Sequence, residues 1–89
     1  MSDVEQECIR RIAEAKAIAP ESVTLESTLE SLEVDSLDRV TLSFDLEEEY
    51  GVEIPESKLH QIRTVGDIAV AVEQELAKKH ETRASAGAA

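Results

Sequence analysis

Apolar residues recur every three or four positions in three stretches of the chain, and each recurrence predicts an amphipathic helix. The first helix covers residues 3–18, the second covers residues 36–50, and the last begins after Thr64. Between the second and the last, the sequence ESKLHQI follows Pro55 and predicts one short turn of helix. The pattern therefore predicts an all-α fold, a small up-down bundle of three main helices plus one short helix.

Residues 19–35 join the first two helices and are rich in Ser, Thr and Glu. They also contain four large apolar residues, which are Val23, Leu25, Leu29 and Leu32. A solvated linker would not need these residues, so we expect an ordered loop that packs on the helices, and its length suggests a function. From Glu81 onward the sequence is small, polar and without period. This predicts a domain of residues 1–80 and a disordered tail of residues 81–89.

The charge of the chain limits its partners. Twenty acidic residues against nine basic ones give a formal net charge of −11. Such a charge disfavours nucleic acid and anionic membranes, favours proteins with basic patches, and predicts a soluble monomer. The acidic N-terminus and the lack of about 18 consecutive apolar residues argue against a secretory signal and a membrane span, so we expect a cytoplasmic protein.

Several kinds of chemistry are disfavoured by the residues present. Cys8 is the only cysteine, and His60 and His80 are too few and too far apart to suggest a metal site. No base is predictably held beside a serine, as nucleophilic catalysis requires. The sequence also lacks the EF-hand calcium pattern and a glycine-rich phosphate loop. We therefore expect no metal site and no enzyme.

The second helix presents a dense acidic face between apolar flanks. On a helical projection the face spans an arc of about 100 degrees and contains Asp38, Asp45, Glu48 and Glu49. One flank consists of Leu37, Val40 and Phe44. Such a face is commonly a solvated surface. However, like charges four residues apart are unfavourable, and no basic residue of the sequence evidently relieves the far end of this face. This favours a functional surface.

The second helix begins within the sequence LEVDSLDRV, residues 32–40. Asp35 is a good N-cap, and Asp38 three residues later gives a capping-box-like pair. Ser36 then lies in the first turn, where free backbone N–H groups and the helix dipole favour a phosphate. By residue type and position alone, Ser36 is either a cap or surface residue, or the point at which a phosphate is held.

Three segments together resemble the acyl carrier proteins, the free-standing type II partners of fatty-acid and polyketide synthesis. They are DSLDRV, LEEEYGVEIP and IRTVGDIA, and the similarity runs from about Val4 to Leu76. The resemblance implies that Ser36 carries a 4′-phosphopantetheine arm, which a phosphopantetheinyl transferase installs from coenzyme A. Acyl groups would be held on this arm as thioesters. The protein would present them to acyl-transferring and condensing enzymes with basic docking patches.

The resemblance also implies roles for other residues. The implied recognition acids are Asp35, Asp38, Glu47 and Glu48, which Asp45 and Glu49 join. The implied apolar part of that surface, and one wall of an acyl cavity, is formed by Leu37, Val40 and Phe44. Further cavity lining, or ordinary core, would consist of Leu46, Ile54, Leu59, Ile62 and Ile68.

Some residues depart from the family's usual pattern. Glu33 replaces a common glycine, which costs about 1 kcal/mol if that position needs a positive φ. Arg39 adds a positive charge beside the acidic face, and Ser43 makes the helix more polar than usual. Leu59 and Ile68 are larger than the common residues. They predict a narrow cavity that favours short or polar acyl groups.

The sequence leaves two alternatives open beside a fatty-acid or polyketide carrier. One is a carrier of the same fold for aminoacyl or other specialised cargo. The other is an acidic helical adaptor that binds basic partners and has no prosthetic group. The adaptor predicts that Ser36 is never modified.

Overall fold

Four helices form the regular structure of the residues that are described. The computed structural model describes residues 2–88, with side chains from residue 2 to residue 79. Along the chain these are α1 (Asp3–Lys16), α2 (Ser36–Tyr50), α3 (Glu56–Gln61) and α4 (Val65–Ala88), with a single 3₁₀ turn at Pro20–Ser22. Within these residues no sheet forms. The predicted all-α class, with three main helices and one short helix, is confirmed.

The core lies where α1, α2 and α4 meet, and it is built from aliphatic side chains. Its most deeply buried members are Ile12, Leu29, Leu46, Val65, Val72 and Cys8. Most of them recur at helical spacing because every third or fourth residue of a helix faces the same side. Burial of these apolar side chains holds α2 in place and leaves its other faces free to contact solvent or a partner.

The long loop between α1 and α2 is ordered, as the sequence predicted. Its four large apolar residues all contact the core, two of them buried and two half-buried: Val23 and Leu29, then Leu25 and Leu32. Backbone hydrogen bonds also join the loop to the connection between α3 and α4. Leu29 N donates to Arg63 O at 2.9 Å, and Val65 N donates to Ser27 O at 3.0 Å. The loop is therefore part of the scaffold that positions α2.

Helix α1 ends two residues earlier than predicted. Ala17 adopts the left-handed conformation, with a φ of 55°, and its N–H closes the last turn. The helix thus ends before Pro20 has any effect on it. The sequence did not reveal this end because glycine, not alanine, usually occupies such a position.

The other helix ends agree with the sequence. Helix α2 keeps its predicted bounds and ends at Gly51, which has a φ of 63°. At the start of α4, Asp67 N donates to Thr64 Oγ1 and Thr64 N donates to Asp67 Oδ2, both at 3.1 Å. These two bonds confirm the predicted cap of α4.

The backbone of α4 is helical as far as Ala88, beyond the boundary at residue 80 that composition predicted. This segment contains good helix formers such as Ala, Glu and Arg, and it has no proline to stop a helix. Side chains from residue 80 onward lie outside the described residues, and the division into a domain of residues 1–80 and a disordered tail of residues 81–89 stays a prediction. Of the helices described, none combines the length and hydrophobicity needed to cross a bilayer.

Candidate functional site

A tight turn leads into α2 and determines where that helix begins. Glu33 has a φ of 59°, which is the left-handed region. Glu33 N donates to Glu30 O at 3.0 Å, and Val34 N donates to Leu29 O at 2.8 Å. At such a φ, a residue with a side chain is about 1 kcal/mol less favourable than glycine, so the cost expected for Glu33 applies. The hydrogen bonds on either side of Glu33 hold the turn against this cost.

Asp35 caps α2 and leaves the neighbouring serine free. Asp35 Oδ1 accepts a hydrogen bond from Asp38 N at 2.9 Å, and Asp35 has the extended backbone of an N-cap residue. Ser36 is the exposed first residue of the helix, and among residues 2–79 its hydroxyl has no hydrogen-bond partner. The N–H groups of Ser36 and Leu37 also find no acceptor within this part of the chain, as expected for a first turn.

Two cations of α1 lie against the acidic face of α2. Lys16 Nζ is 2.7 Å from Asp38 Oδ2, and Arg11 lies 3.1 Å from Glu49 and 3.8 Å from Asp45. The prediction that no basic residue relieves the far end of this face is therefore wrong. The periodicity of α2 alone did not reveal a cation that another helix supplies. Asp38 also does not complete a capping box, because its carboxylate turns to Lys16.

Lys16 and Asp38 are both charged at neutral pH. The hydrogen bond from Lys16 lowers the pKa of Asp38. The same bond raises the pKa of Lys16, and the carboxylates of Asp35 and Glu33 raise it further. The side chains of Lys16 and Asp38 are 24% and 40% exposed. A pair with this exposure adds little to stability, so it remains open to exchange with a cation of another molecule.

A groove of about 290 Å³ runs between α1 and α2 along the same face. Apolar side chains such as Ile12 and Leu42 line it together with Lys16, Asp38 and Asp45. Sequence reasoning missed both the groove and the roles of Arg11 and Lys16. These features depend on how two helices pack, and no pattern within either helix indicates them.

The apolar flank of the acidic face lies on the outer surface. Leu37 is 73% exposed, Val40 is 41% exposed and Phe44 is 63% exposed. Large exposed apolar side chains beside charged ones are typical of an interaction surface. The same exposure is a correction to the expected cavity, since Val40 and Phe44 do not line the interior space described next.

An interior cavity of about 10 Å³ lies between α2, α3 and the start of α4. Four of the predicted lining residues surround it: Ile54, Leu59, Ile62 and Ile68. The sequence did not point to the rest of the lining, which includes Arg39 and Ser43. Leu46 is fully buried in the core and is not part of this lining. This volume holds about one water molecule, so the cavity is closed to an acyl chain as it stands, and its use by an acyl chain stays a prediction.

Glu47 contacts the backbone of its own chain. Its carboxylate accepts a hydrogen bond from Ile54 N at 2.6 Å, and its side chain is half-buried. This bond ties the last turn of α2 to the segment before Pro55. Glu48 and Glu49, in contrast, are exposed. The placement of Glu47 therefore differs from that expected of a recognition acid.

Other reactive groups lie away from the start of α2. Burial raises the pKa of Cys8 to about 12, so its thiol stays protonated and unreactive at neutral pH. His60 lies 3.8 Å from Glu56 on α3 and makes no hydrogen bond with Ser36. In the part of the chain that the structure describes, no three His, Cys, Asp or Glu side chains are grouped so that they could hold a metal ion.

Known proteins resemble this chain over almost its whole length. A family model described as a phosphopantetheine attachment site matches residues 6–72. An acyl carrier protein of Amoebophilus asiaticus is 39% identical over 80 residues, which are 89% of this chain and 100% of the relative. A meromycolate extension acyl carrier protein of Mycolicibacterium aurum is 38% identical over an alignment of 91 positions, which covers 97% of this chain and 93% of the relative.

Solved structures agree with this at the level of the fold. An acyl carrier protein of Thermotoga maritima superposes with a TM-score of 0.72 and 24% identity, over 88% of this chain and 98% of the other. A mupirocin didomain acyl carrier protein gives a TM-score of 0.75 at 17% identity, over 85% of this chain and 43% of the longer one. At these identities the likeness supports a shared fold and nothing more specific.

Proposed function

Because this chain belongs to the acyl carrier proteins, the family with the phosphopantetheine attachment site, we propose that Ser36 Oγ carries the 4′-phosphopantetheine arm. One observation carries the proposal. The hydroxyl of Ser36 is exposed and uncommitted at the start of α2, because Asp35 has taken the cap. By contrast, Ser43 in the same helix is buried, and its hydroxyl donates to Val40 O at 2.8 Å.

The surroundings of Ser36 fit a phosphodiester. The N–H groups of Ser36 and Leu37 are available, and the positive end of the α2 dipole favours a negative charge at this point. These groups offset the repulsion that Asp35 and Asp38 would exert on a phosphate.

Attachment uses the serine hydroxyl as the nucleophile. Ser36 Oγ forms a new bond to phosphorus of coenzyme A, the pyrophosphate P–O bond breaks, and adenosine 3′,5′-bisphosphate leaves. The proton of Ser36 goes to a base of the phosphopantetheinyl transferase. Within residues 2–79 no basic side chain is hydrogen-bonded to Ser36, and this favours a carrier that is modified by an enzyme over a catalyst.

The chain is an acyl carrier of fatty-acid or related biosynthesis. Once attached, the arm supplies a thiol that holds the acyl group as a thioester. The fold contributes the site at Ser36, and it holds α2 so that enzymes meet the cargo beside a fixed surface. Interaction with biosynthetic enzymes follows from this role.

We further propose that those enzymes dock on the outer surface of α2. Exposed acids there (Asp35, Asp45, Glu48 and Glu49) suit a partner with a patch of Arg and Lys. Leu37 and Phe44 suit an apolar depression in that patch, since both are more than half exposed. Asp38 belongs to this surface when a partner displaces Lys16. We leave Glu47 out because its carboxylate bonds to Ile54 N.

Intact mass tests the attachment site directly. The purified chain is incubated with coenzyme A and a broad-range phosphopantetheinyl transferase. We expect a gain of one phosphopantetheinyl group in the wild type and none in Ser36→Ala. Ser57→Ala is the matched control, since Ser57 is also an exposed serine in the first turn of a helix, and it should gain the group normally. No gain in the wild type with several transferases would favour the acidic adaptor.

Thiol titration gives a second readout. Because Cys8 is buried with a pKa of about 12, a thiol reagent at neutral pH should find no reactive thiol in the unmodified, folded chain. After incubation with the transferase it should find one, and in urea it should find two. Rapid reaction of the folded, unmodified chain would show that Cys8 is accessible and would remove this readout.

A further inference from the structure

Two polar side chains stand in the wall of the otherwise apolar interior cavity. Arg39 and Ser43 both come from α2, four residues apart and therefore on the same side of the helix. The rest of the lining consists of Leu and Ile side chains. A mostly apolar space with a small number of placed polar groups is typical of a site that binds a small organic ligand.

Arg39 closes this cavity in the structure. Its Nη1 donates to Ile62 O at 3.1 Å, which joins α2 to the connection between α3 and α4. The side chain is half-buried, and among residues 2–79 it has no carboxylate within ion-pair distance, although the chain has twenty acidic residues. A guanidinium has five N–H donors, and this one uses a single donor on the protein. Its remaining donors are available to a ligand.

We propose that Arg39 selects acyl chains that carry an oxygen on their first carbons, such as 3-oxoacyl or 3-hydroxyacyl groups, over saturated chains. This inference rests on the proposed attachment of the arm at Ser36. Ser36 and Arg39 are three residues apart and lie one above the other on the helix. A chain that starts at Ser36 and enters the cavity passes Arg39 before it reaches Ser43.

Because the cavity is closed, the selection depends on the free energy of opening it for each kind of cargo. At about 10 Å³ the cavity must widen for any acyl chain, and widening separates α2 from the α3–α4 connection. The bond from Arg39 to Ile62 O is then lost. An oxygen on the cargo replaces the lost acceptor, whereas a saturated chain leaves a partly desolvated cation beside methylene groups. The two kinds of cargo therefore differ in how much they stabilise the loaded protein.

A comparison of two matched cargoes tests the proposal. Hexanoyl and 3-oxohexanoyl groups are loaded from their coenzyme A thioesters, and intact mass confirms each product. We expect the 3-oxohexanoyl form of the wild type to melt about 4 °C higher than the hexanoyl form. In Arg39→Met this difference should vanish. Arg63→Met is the control, because it removes the same charge from an exposed position outside the cavity and should keep the difference.

The difference between cargoes within one variant is the deciding quantity, so a change in overall stability does not affect it. If Arg39→Met does not fold, Arg39→Gln is used in the same way, and we expect it to reduce the difference. Equal melting of the two wild-type forms, or an undiminished difference without the guanidinium, would overturn the proposal. An arm that never attaches to the wild type refutes the proposed function instead, before any cargo is compared.

Discussion

Polar side chains on the outer and inner faces of α2 differ in their partners and in their surroundings. On the outer face, Asp38 and Asp45 form ion pairs with cations that α1 supplies. On the inner face, Arg39 and Ser43 line a closed cavity, and each donates to a backbone carbonyl. The outer contacts are partly exposed ion pairs. The inner contacts are hydrogen bonds in a largely apolar space.

This difference separates two tasks within one helix. An exposed ion pair contributes little free energy, so a partner can replace one of its members at low cost. A polar group in the interior is costly to leave without a partner, so its bond is exchanged only for another bond. We therefore expect the outer face to control docking and the inner face to control stability and cargo. Four pairs of substitutions test this division.

The largest effect should come from the core side of α2. Leu46→Ala removes a fully buried side chain and should lower the free energy of unfolding by about 3 kcal/mol. Phe44→Ala, two residues away but 63% exposed, should change it by less than about 0.5 kcal/mol. Urea denaturation measures both. Similar losses in the two variants would contradict the assignment of these faces.

Glu47 and Glu48 sharpen the comparison because they are neighbours of the same type. Glu47→Ala removes the acceptor of Ile54 N and should cost about 1–2 kcal/mol of unfolding free energy. Glu48→Ala should leave stability within about 0.5 kcal/mol of the wild type and weaken docking to a basic partner. The division fails at this point if Glu48 proves the more destabilising of the two.

The turn before α2 gives a smaller change of opposite sign. Glu33→Gly relieves the left-handed conformation and should raise the unfolding free energy by about 1 kcal/mol. Glu30→Gly, in the same turn and with the same loss of charge, should lower it, because glycine gains more freedom in the unfolded chain. A stabilised Glu30→Gly would show that charge, not φ, is responsible.

The smallest effect on stability should come from Lys16, with a visible effect on docking. Lys16→Met frees Asp38 and should lower the KM of the phosphopantetheinyl transferase by roughly two- to five-fold at unchanged kcat. The melting temperature should hardly move. Lys78→Met removes an equal charge on α4 and should leave KM as it is. An equal drop in both variants would mean that net charge, and not the Lys16–Asp38 pair, sets the KM.

Much of the fold followed from local pattern. The bounds of α2, the cap at Asp35 and the exposed position of Ser36 all depend on residues within about one turn of each other, which the sequence displays directly. The end of α1 did not follow, because Ala17 gives no local sign of its left-handed conformation. The partners of the acids were also hidden, since 38 residues separate Arg11 from Glu49.

The sequence by itself determined the helical class, the serine at the start of α2 and the acidic character of that helix. Only the tertiary structure decided which acids form ion pairs and which glutamate accepts a hydrogen bond from the backbone. It also decided that Val40 and Phe44 face outward, while Arg39 turns inward to a carbonyl 23 residues away. The physical reason is that the helical period fixes which side chains share a face of one helix. What each side chain contacts depends on which other helix or loop packs against that face.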